Sequence, residues 1–219
     1  MANGTPPGLL SNIPRPGIKP PVPGLLSIAP PSVLEQIKKG ALLPASTVEN
    51  AIEKEVSHLK VHEGFKPYAY VDTEGYLTAG YGHKLTKEEI AKIPKNQRVP
   101  DEKGNLQHII YTKEQTDKWF DNDTAKAIRN AKALVGENVP PEVFGILLNM
   151  SFNMGQAGVG KFAGMLKAIK DKDYKRAALE MEFTNPDKDI SEEGWTPWRT
   201  QVPTRAASLI NRMSNTSKQ

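Results

Sequence analysis

Proline is concentrated at the start of this 219-residue chain, where ten of its 18 prolines fall within the first 44 residues. Because proline fixes φ and lacks a backbone N–H, such a segment cannot form a helix or sheet of any length. We therefore predict an extended, semi-rigid arm over residues 1–45 and one folded domain over residues 46–219. The arm repeats one pattern, PGLLSNIP from Pro7 and PGLLSIAP from Pro23. The repeat is either drift in low-complexity sequence or a pair of docking segments for a partner protein.

Charge is distributed just as unevenly. The formal net charge is +4 and the pI about 9.1, but residues 1–48 carry +3 of that charge. The remainder shows no clustered Lys/Arg face with interleaved aromatics, which argues against nucleic-acid binding.

The chain has no cysteine, so disulfides and thiolate metal sites are excluded. Without a run of ~20 apolar residues or a signal-peptide pattern, we expect no stable membrane insertion, and export would depend on another protein.

The sequence after the arm predicts a mostly helical α+β fold. Val48, Ile52, Val56 and Leu59 recur at helical spacing. A capping box of Ser46 and Glu49 precedes this helix, and Gly64 suits its end. The β-prone runs 68–71 and 76–81 flank a polar turn, which predicts a hairpin.

From Thr112, the first residue of a second capping box (TKEQ), the pattern becomes helical. Trp119, Phe120, Ala127, Ile128, Ala131 and Leu134 share one face of the first helix, and further helices are predicted over residues 140–154, 161–170, 174–182 and 204–212. The stretch TNPDKDISEEGWTPWR between the last two is predicted to be a polar loop. We expect one helix and a small hairpin lobe, followed by an all-helical lobe, with a ligand site in the cleft between the two lobes.

The stretch HEGFKPYAYVDTEGYLTAGYGHK, residues 62–84, gathers side chains suited to acid–base chemistry. Glu63 falls at a helix end, where the helix dipole and partial burial both favour the protonated carboxyl. Asp72 opens a polar turn whose N–H groups can stabilise its anion, and Thr78 lies across the hairpin with a hydroxyl that can hold water. Two carboxyls in opposed environments suit a proton donor and a base or nucleophile. A surface glutamate and an ordinary Asx-turn aspartate would give the same pattern.

This segment strongly resembles the active-site segment of the tailed-phage lysozymes, the T-even-like muramidases of glycoside hydrolase family 24. In that family eight residues separate Glu from Asp, five separate Asp from Thr, and a G-x-G-H motif follows. The same spacing here gives Glu63, Asp72, Thr78 and the run Gly-Tyr-Gly-His at 80–83. LLNMSFNMGQAGVGKF resembles the family's central helix and following turn, and QVPTRAASLINRM resembles a late helix. The resemblance covers roughly residues 48–213.

The resemblance implies a lysozyme fold and hydrolysis of the β-1,4 bond between N-acetylmuramic acid and N-acetylglucosamine in peptidoglycan, without a cofactor. Glu63 would be the general acid, and Asp72 and Thr78 would orient the attacking water in an inverting displacement. Arg205 matches an arginine that pairs with the catalytic glutamate.

Three further positions match the family less directly. Phe152 and Asn153 match residues that line the substrate cleft, although an aromatic residue there also suits core packing. We expect the match at His83 to be structural rather than catalytic.

Two features depart from the family. The TNPDKDISEEGWTPWR loop is longer than in compact family members, and the proline-rich arm is absent from the simplest ones.

Two other motifs in the sequence lack a residue that their usual function requires. GQAGVGK, residues 155–161, has the form of a phosphate-binding loop, but Phe162 replaces the Ser/Thr that binds Mg²⁺ and no strand precedes the motif. His58 and His62 lie one helical turn apart beside Glu63, as in some zinc sites. The metalloprotease order would place glutamate directly after the first histidine, where Leu59 stands, so no metal is expected.

Two questions of role stay open. The rival to an enzyme is a non-catalytic lysozyme-fold module for virion assembly or cell-wall binding. For an enzyme, the arm favours a particle-borne protein that opens the wall and contacts a phage virion or tail protein through residues 1–45. The alternative is a lysis enzyme stored in the host cytoplasm and released by a holin. In both settings the substrate is peptidoglycan, which places the activity in the periplasm.

Overall fold

The computed structural model describes residues 45–136 and 138–216, so the predicted arm up to residue 44, with its PGLLS repeat, lies outside the described residues. Within these ranges the chain forms eight α-helices and a four-stranded antiparallel sheet. This is the α+β, mostly helical lysozyme fold class that the sequence predicted. No helix in the described ranges is both long enough and apolar enough to cross a membrane.

The elements are named here in chain order. They are α1 (Ala45–Glu63), β1 (Lys66–Val71), β2 (Leu77–Gly80), β3 (His83–Lys84), α2 (Lys87–Lys92), β4 (Leu106–Ile110), α3 (Lys113–Val135), α4 (Pro141–Gly160), α5 (Ala163–Lys170), α6 (Tyr174–Glu182), α7 (Pro197–Gln201) and α8 (Pro203–Ser214). Two single turns of 3₁₀ helix, Lys95–Gln97 and Glu192–Gly194, lie in the connections.

The sheet has the strand order β3-β2-β1-β4 and covers a small apolar core. Ala69 of β1 and Ala79 of β2 point into this core and are fully buried. Side chains from the β4 strand and the start of α3, including Leu106 and Trp119, close it. Because side chains alternate along a strand, the residues next to Ala69 point to the opposite face of the sheet.

A larger core lies among the helices. It is built around α4, where the nine consecutive residues from 143 to 151 are buried, and it receives side chains from α1, α3, α5, α6 and α8. The long helix α3 contributes to both cores, since Trp119 belongs to the small one and Ile128 to the large one. It therefore forms the continuous connection between the two lobes.

The predicted first helix and hairpin are confirmed. α1 ends at Glu63, and Gly64 follows with φ of 65°, in the left-handed region that suits glycine. The side chains of the predicted Ser46–Glu49 capping box lie outside the described residues. Ile52 belongs to the large helical core. The apolar face of α1 therefore packs on α4, and the helix belongs with the large core.

The later helices are also confirmed, and their bounds shift by a few residues. Thr112 caps α3 by accepting a hydrogen bond from the Gln115 N–H, which is one of the two bonds of the predicted capping box. α4 loses helical geometry at Gly155 (φ 70°), directly after the predicted end of that helix at residue 154. The helix continues beyond this kink to Gly160, so the GQAGVGK motif lies largely within a helix rather than between a strand and a helix.

Four short elements were not predicted, one of which is the two-residue strand β3. α2 begins at a capping box in which Thr86 and Glu89 bond each other's backbone N–H groups. β4 pairs with β1 through Tyr68–Ile110 and Ala69–Leu106. α7 lies in the stretch predicted to be a polar loop, because Trp198 is buried there and the loop folds back onto the core.

Candidate active site

Glu63 is the last residue of α1 and is held by an arginine from the other end of the chain. Its Oε1 accepts a hydrogen bond from Arg205 Nη2 at 2.6 Å, and the two side chains are only 18% and 13% exposed. Arg205 lies in the first turn of α8. The ion pair therefore joins the carboxyl end of α1 to the amino end of α8, and it leaves Oε2 of Glu63 without a bond to the arginine.

The second oxygen of Glu63 faces the G-x-G-H turn. Gly82 has φ of 82°, and a Cβ added there would lie 3.1 Å from Glu63 Oε2. A side chain at this position would therefore be strained by the backbone and would also press on the carboxyl. The glycine brings the turn between β2 and β3 against Glu63.

Asp72 is fixed by the turn between β1 and β2. Its Oδ1 accepts hydrogen bonds from the N–H groups of Glu74 and Tyr76 at 2.9 and 2.8 Å. Its Oδ2 lies 3.3 Å from the Thr78 hydroxyl, which also lies 3.1 Å from the Tyr76 carbonyl oxygen. The side chain of Asp72 remains 20% exposed, whereas Thr78 is buried. Asp72 and Thr78 are thus one hydrogen-bonded unit, while their role in orienting water stays a prediction.

A lysine lies beside this unit. Lys84 Nζ is 3.9 Å from Asp72 Oδ2 and 2.6 Å from Glu74 Oε2, and it stacks over the Tyr76 ring at 4.0 Å. Sequence reasoning did not single out Lys84. The residue directly follows the G-x-G-H motif on β3, and pairing of Thr78 with Lys84 across the two strands brings it to the turn that holds Asp72.

Sequence reasoning also did not identify Tyr70 as a residue of the candidate site. It pairs directly with Thr78 across the β1–β2 hairpin and lies two residues before Asp72. Burial raises the pKa of its phenol, and the negative charges of Glu63, Asp72 and Tyr68 raise it further. Both candidate catalytic carboxylates therefore act on this one hydroxyl. Only the pairing of β1 with β2 brings Tyr70 to the site, so no local pattern in the sequence singled it out.

His83 lies in a separate cluster. Its Nδ1 is 2.7 Å from Asp123 Oδ2, its Nε2 is 3.0 Å from Glu89 Oε2, and its ring stacks on Trp119 with centroids 4.7 Å apart. Burial lowers the pKa of His83, but the hydrogen bonds and charges of the two carboxylates outweigh burial, and the net pKa is raised. These contacts tie β3 to α2 and α3 and agree with the expectation of a structural histidine.

Phe152 and Asn153 lie on α4 just before its kink. The Phe152 ring packs against Phe120 at 5.6 Å and against the large core. Asn153 is exposed, and its Oδ1 accepts a hydrogen bond from Trp198 Nε1 at 3.1 Å. The structure thus gives Phe152 a packing role and gives Asn153 a partner from α7, while their contact with sugar stays a prediction.

Residues 45–136 and 138–216 contain no group of three or more His, Cys, Asp or Glu side chains that could hold a metal ion. The candidate site is instead built from Glu63 with Arg205 and from Asp72 with Thr78. This arrangement offers one carboxyl clamped by an arginine and one anchored to backbone N–H groups. It suits proton donation to a leaving group and orientation of a water molecule.

Comparison with known proteins agrees with this geometry. The family model described as phage lysozyme matches residues 60–196, which include Glu63, Asp72 and Thr78. The chain belongs to the phage lysozyme family. It is therefore a glycoside hydrolase of the lysozyme type, a class that degrades bacterial cell walls.

Relatives of this phage lysozyme family member come from a eukaryote and from phages. The chain is 28% identical over 167 residues to "Probable T4-type lysozyme 2" of Dictyostelium discoideum, an alignment that covers 70% of the chain and 89% of that protein. It is 34% identical over 130 residues to "Pre-baseplate central spike protein Gp5" of Enterobacteria phage T4, covering 54% of the chain and 22% of the spike protein. It is 29% identical over 156 residues to "Peptidoglycan hydrolase gp36" of Pseudomonas phage phiKMV, covering 69% of the chain and 14% of that protein.

Proposed function

We propose that this phage-type lysozyme hydrolyses the β-1,4 bond between N-acetylmuramic acid and N-acetylglucosamine in peptidoglycan. The observation that carries the proposal is the pair of carboxyls in contrasting settings. Glu63 is bound by Arg205 through one oxygen, and Asp72 is bound by two backbone N–H groups and Thr78. Two carboxylates with different partners are what acid-assisted glycoside hydrolysis requires.

In this proposal Glu63 is the general acid. Arg205 fixes the carboxyl through Oε1, so that Oε2 can carry the proton to the glycosidic oxygen. As the bond breaks, the leaving sugar takes that proton, and the charge left on Glu63 is stabilised by the arginine. Asp72 and Thr78 hold the attacking water, and the carboxylate takes its proton as water adds to the anomeric carbon. No cofactor takes part.

Water held by a second carboxylate, rather than attack by that carboxylate, gives inversion at the anomeric carbon. The experiment is ¹H NMR of a soluble peptidoglycan oligosaccharide during the first minutes of digestion. We expect the α-anomer of the new reducing end to appear first and then to equilibrate. Initial appearance of the β-anomer would reject the inverting scheme without rejecting the hydrolase.

The identity of the cleaved bond is tested by the new reducing end. Digested peptidoglycan is reduced with borohydride and analysed by mass spectrometry. Cleavage after muramic acid yields muramitol, which the proposal requires. Glucosaminitol as the product would assign the opposite bond and overturn the proposal for this substrate.

For the biological setting we propose a virion-borne enzyme, tethered by a separate arm over residues 1–45 and acting on the wall in the periplasm during infection. The repeated PGLLS segments of the arm support this, since two identical docking segments suit attachment to a particle. The relative named as a pre-baseplate central spike protein supports the same setting. Co-purification with intact particles is the expected result. Recovery only from the lysate would favour cytoplasmic storage and holin-dependent release.

A further inference from the structure

The open face of the sheet carries a row of side chains that leads to Asp72. Tyr68 and Tyr70 flank the buried Ala69 on β1, so their side chains point to the opposite face of the sheet, beside Lys66 at the start of the strand. The Lys66 amino group lies 3.9 Å from the centre of the Tyr70 ring, and the rings of Tyr68 and Tyr70 meet edge to face with centroids 6.4 Å apart. The row is therefore internally packed, and Tyr70 is its member nearest the candidate site.

The position of Tyr70 is set by strand register. Tyr70 and Thr78 are direct partners in the antiparallel β1–β2 pair, and directly opposed residues share one face with Cβ atoms about 5 Å apart. Thr78 donates to Asp72 on the same face. The Tyr70 side chain thus stands beside the Asp72–Thr78 unit that orients water in the proposed reaction.

The Tyr70 hydroxyl makes no hydrogen bond to any residue of the described ranges, although the side chain is partly buried. Burial and the charges of Glu63 and Asp72 also raise the pKa of the phenol, so it keeps its proton at neutral pH and remains a donor. The carboxylates around it accept hydrogen bonds. Tyr70 therefore offers a neutral donor beside the Asp72–Thr78 unit, in addition to the charged donor Lys84.

We propose that Tyr70 is a substrate-contacting residue, whose hydroxyl donates a hydrogen bond to an oxygen of the sugar next to the scissile bond. This rests on the proposed muramidase function, and it names one more contact of the same site. The Lys66 cation and the Tyr68 ring hold the phenol in place before substrate binds, which reduces the entropy lost on binding. Since the contact is a single neutral hydrogen bond, its loss lowers kcat/KM by about tenfold.

The test compares Tyr70→Phe with Tyr68→Phe in the full-length protein, on a soluble oligosaccharide of alternating N-acetylglucosamine and N-acetylmuramic acid. Each change removes one oxygen from the same face of the same strand, but Tyr68 pairs with Ile110 on the side away from Thr78. We expect kcat/KM to fall about tenfold for Tyr70→Phe and to stay at the wild-type value for Tyr68→Phe, with equal melting temperatures. Wild-type activity of Tyr70→Phe, or an equal loss in both variants, overturns the proposal.

A binding measurement separates this proposal from the proposed function. Calorimetry compares Glu63→Gln with Glu63→Gln/Tyr70→Phe for the same oligosaccharide, so no catalysis is needed. Binding about tenfold weaker in the double variant supports the contact even if the wild type is inert on that substrate. Equal binding by the two proteins overturns it.

A third measurement leaves Tyr70 unmutated. In the Glu63→Gln protein with ¹³C-labelled tyrosine rings, saccharide binding is expected to shift the Tyr70 resonance and to leave that of Tyr111, in the small core, unchanged. Saturating saccharide with no shift at Tyr70 overturns the contact.

Discussion

At the scale of single residues, the site depends on a missing side chain as much as on the carboxyls. Gly82 has a positive φ and lies against Glu63, so its hydrogen atom is the only substituent that fits without moving the candidate acid. Gly136 has a similar φ of 72° but no atom within 4 Å of an added Cβ. The two glycines therefore share the backbone requirement and differ in the contact with the site.

We predict that Gly82→Ala and Gly136→Ala both lower the free energy of unfolding by about 1–2 kcal/mol, since both force a Cβ into the left-handed region. Only Gly82→Ala should also lower the rate of wall hydrolysis, by at least about tenfold, because its Cβ displaces the Glu63 carboxyl. Urea unfolding and a wall-clearing assay measure the two effects. Equal activity of the two variants would show that the contact with Glu63 does not matter.

His83 gives the fold a specific pH dependence. Burial opposes its charged form, but Asp123 and Glu89 outweigh burial and leave its pKa raised in the folded protein. A raised pKa stabilises the fold at pH values below about 6.5, where the unfolded histidine is also protonated, and this contribution is lost as pH rises through the folded-state pKa. Burial opposes ionisation of Glu89 too, yet bonds from Thr86 and His83 lower its pKa, so its carboxylate stays charged at mildly acidic pH.

His83→Gln is therefore predicted to destabilise the protein by about 1–2 kcal/mol more at pH 5.5 than at pH 9. Urea unfolding of the variant and the wild type at both pH values measures the difference. His62→Gln, at an exposed position of α1, is the control and should show no such pH dependence. A loss of stability at His83 that is the same at both pH values would contradict the charged contact.

At the scale of elements, α1 and α8 are joined by two ion pairs in antiparallel order. Glu63 meets Arg205 at one end, and Glu55 meets Arg212 Nη2 at 2.7 Å two turns away. Glu55 is 1% exposed and also accepts from Asn149 Nδ2 at 2.6 Å. The absence of a side chain at Gly145 leaves room for this pair, since a Cβ there would lie 3.2 Å from Glu55 Oε2.

Removing one partner of a buried ion pair costs more than removing both. We predict that Glu55→Leu lowers the free energy of unfolding by about 3 kcal/mol and that adding Arg212→Met restores at least half of the loss. Urea unfolding of the two single variants and the double variant measures this cycle. Additive losses in the double variant would show that the two side chains are not energetically coupled.

The predictability of each element follows its length and pattern. α1 was predictable because Ile52, Val56 and Leu59 repeat at helical spacing, and the β1–β2 hairpin because a polar turn separates two β-prone runs. The six-residue α2 and five-residue α7 offer too few turns for such a repeat. Even for α1, periodicity shows that the helix has an apolar face and not what that face packs against.

At the scale of the whole molecule, the candidate site lies where parts of both lobes meet. Glu63 ends a helix of the large core, Asp72 and Thr78 belong to the sheet, and Arg205 lies near the end of the chain. A chain of aromatic contacts, Phe65–Tyr81–Phe120–Phe152, has ring centroids 5.1, 5.2 and 5.6 Å apart and continues from the G-x-G-H turn to α4. These contacts pack the turn beside Glu63 against the helices of the large lobe.

The site was predictable from sequence to the extent that its members are close along the chain. Glu63, Asp72 and Thr78 fall within sixteen residues, and their spacing matches that of the phage lysozymes. Lys84 and Tyr70 required knowledge of strand register, because neither has a distinctive spacing from Asp72 until the strands are paired. Glu55 and Arg212 are 157 positions apart in the sequence, so no local sequence pattern could predict that they form an ion pair.

The central claim, that Glu63 is the acid of a cell-wall hydrolase, is tested most directly by wall clearing on Gram-negative cells with permeabilised outer membranes. Wild type is compared with Glu63→Gln and with the control Glu53→Gln, which changes an exposed residue of the same helix. Circular dichroism establishes that all three proteins are folded. We predict clearing by wild type and Glu53→Gln and a loss of at least about a hundredfold for Glu63→Gln. Equal clearing by Glu63→Gln would contradict the assignment of the acid, and an inert wild type would favour a non-catalytic wall-binding module.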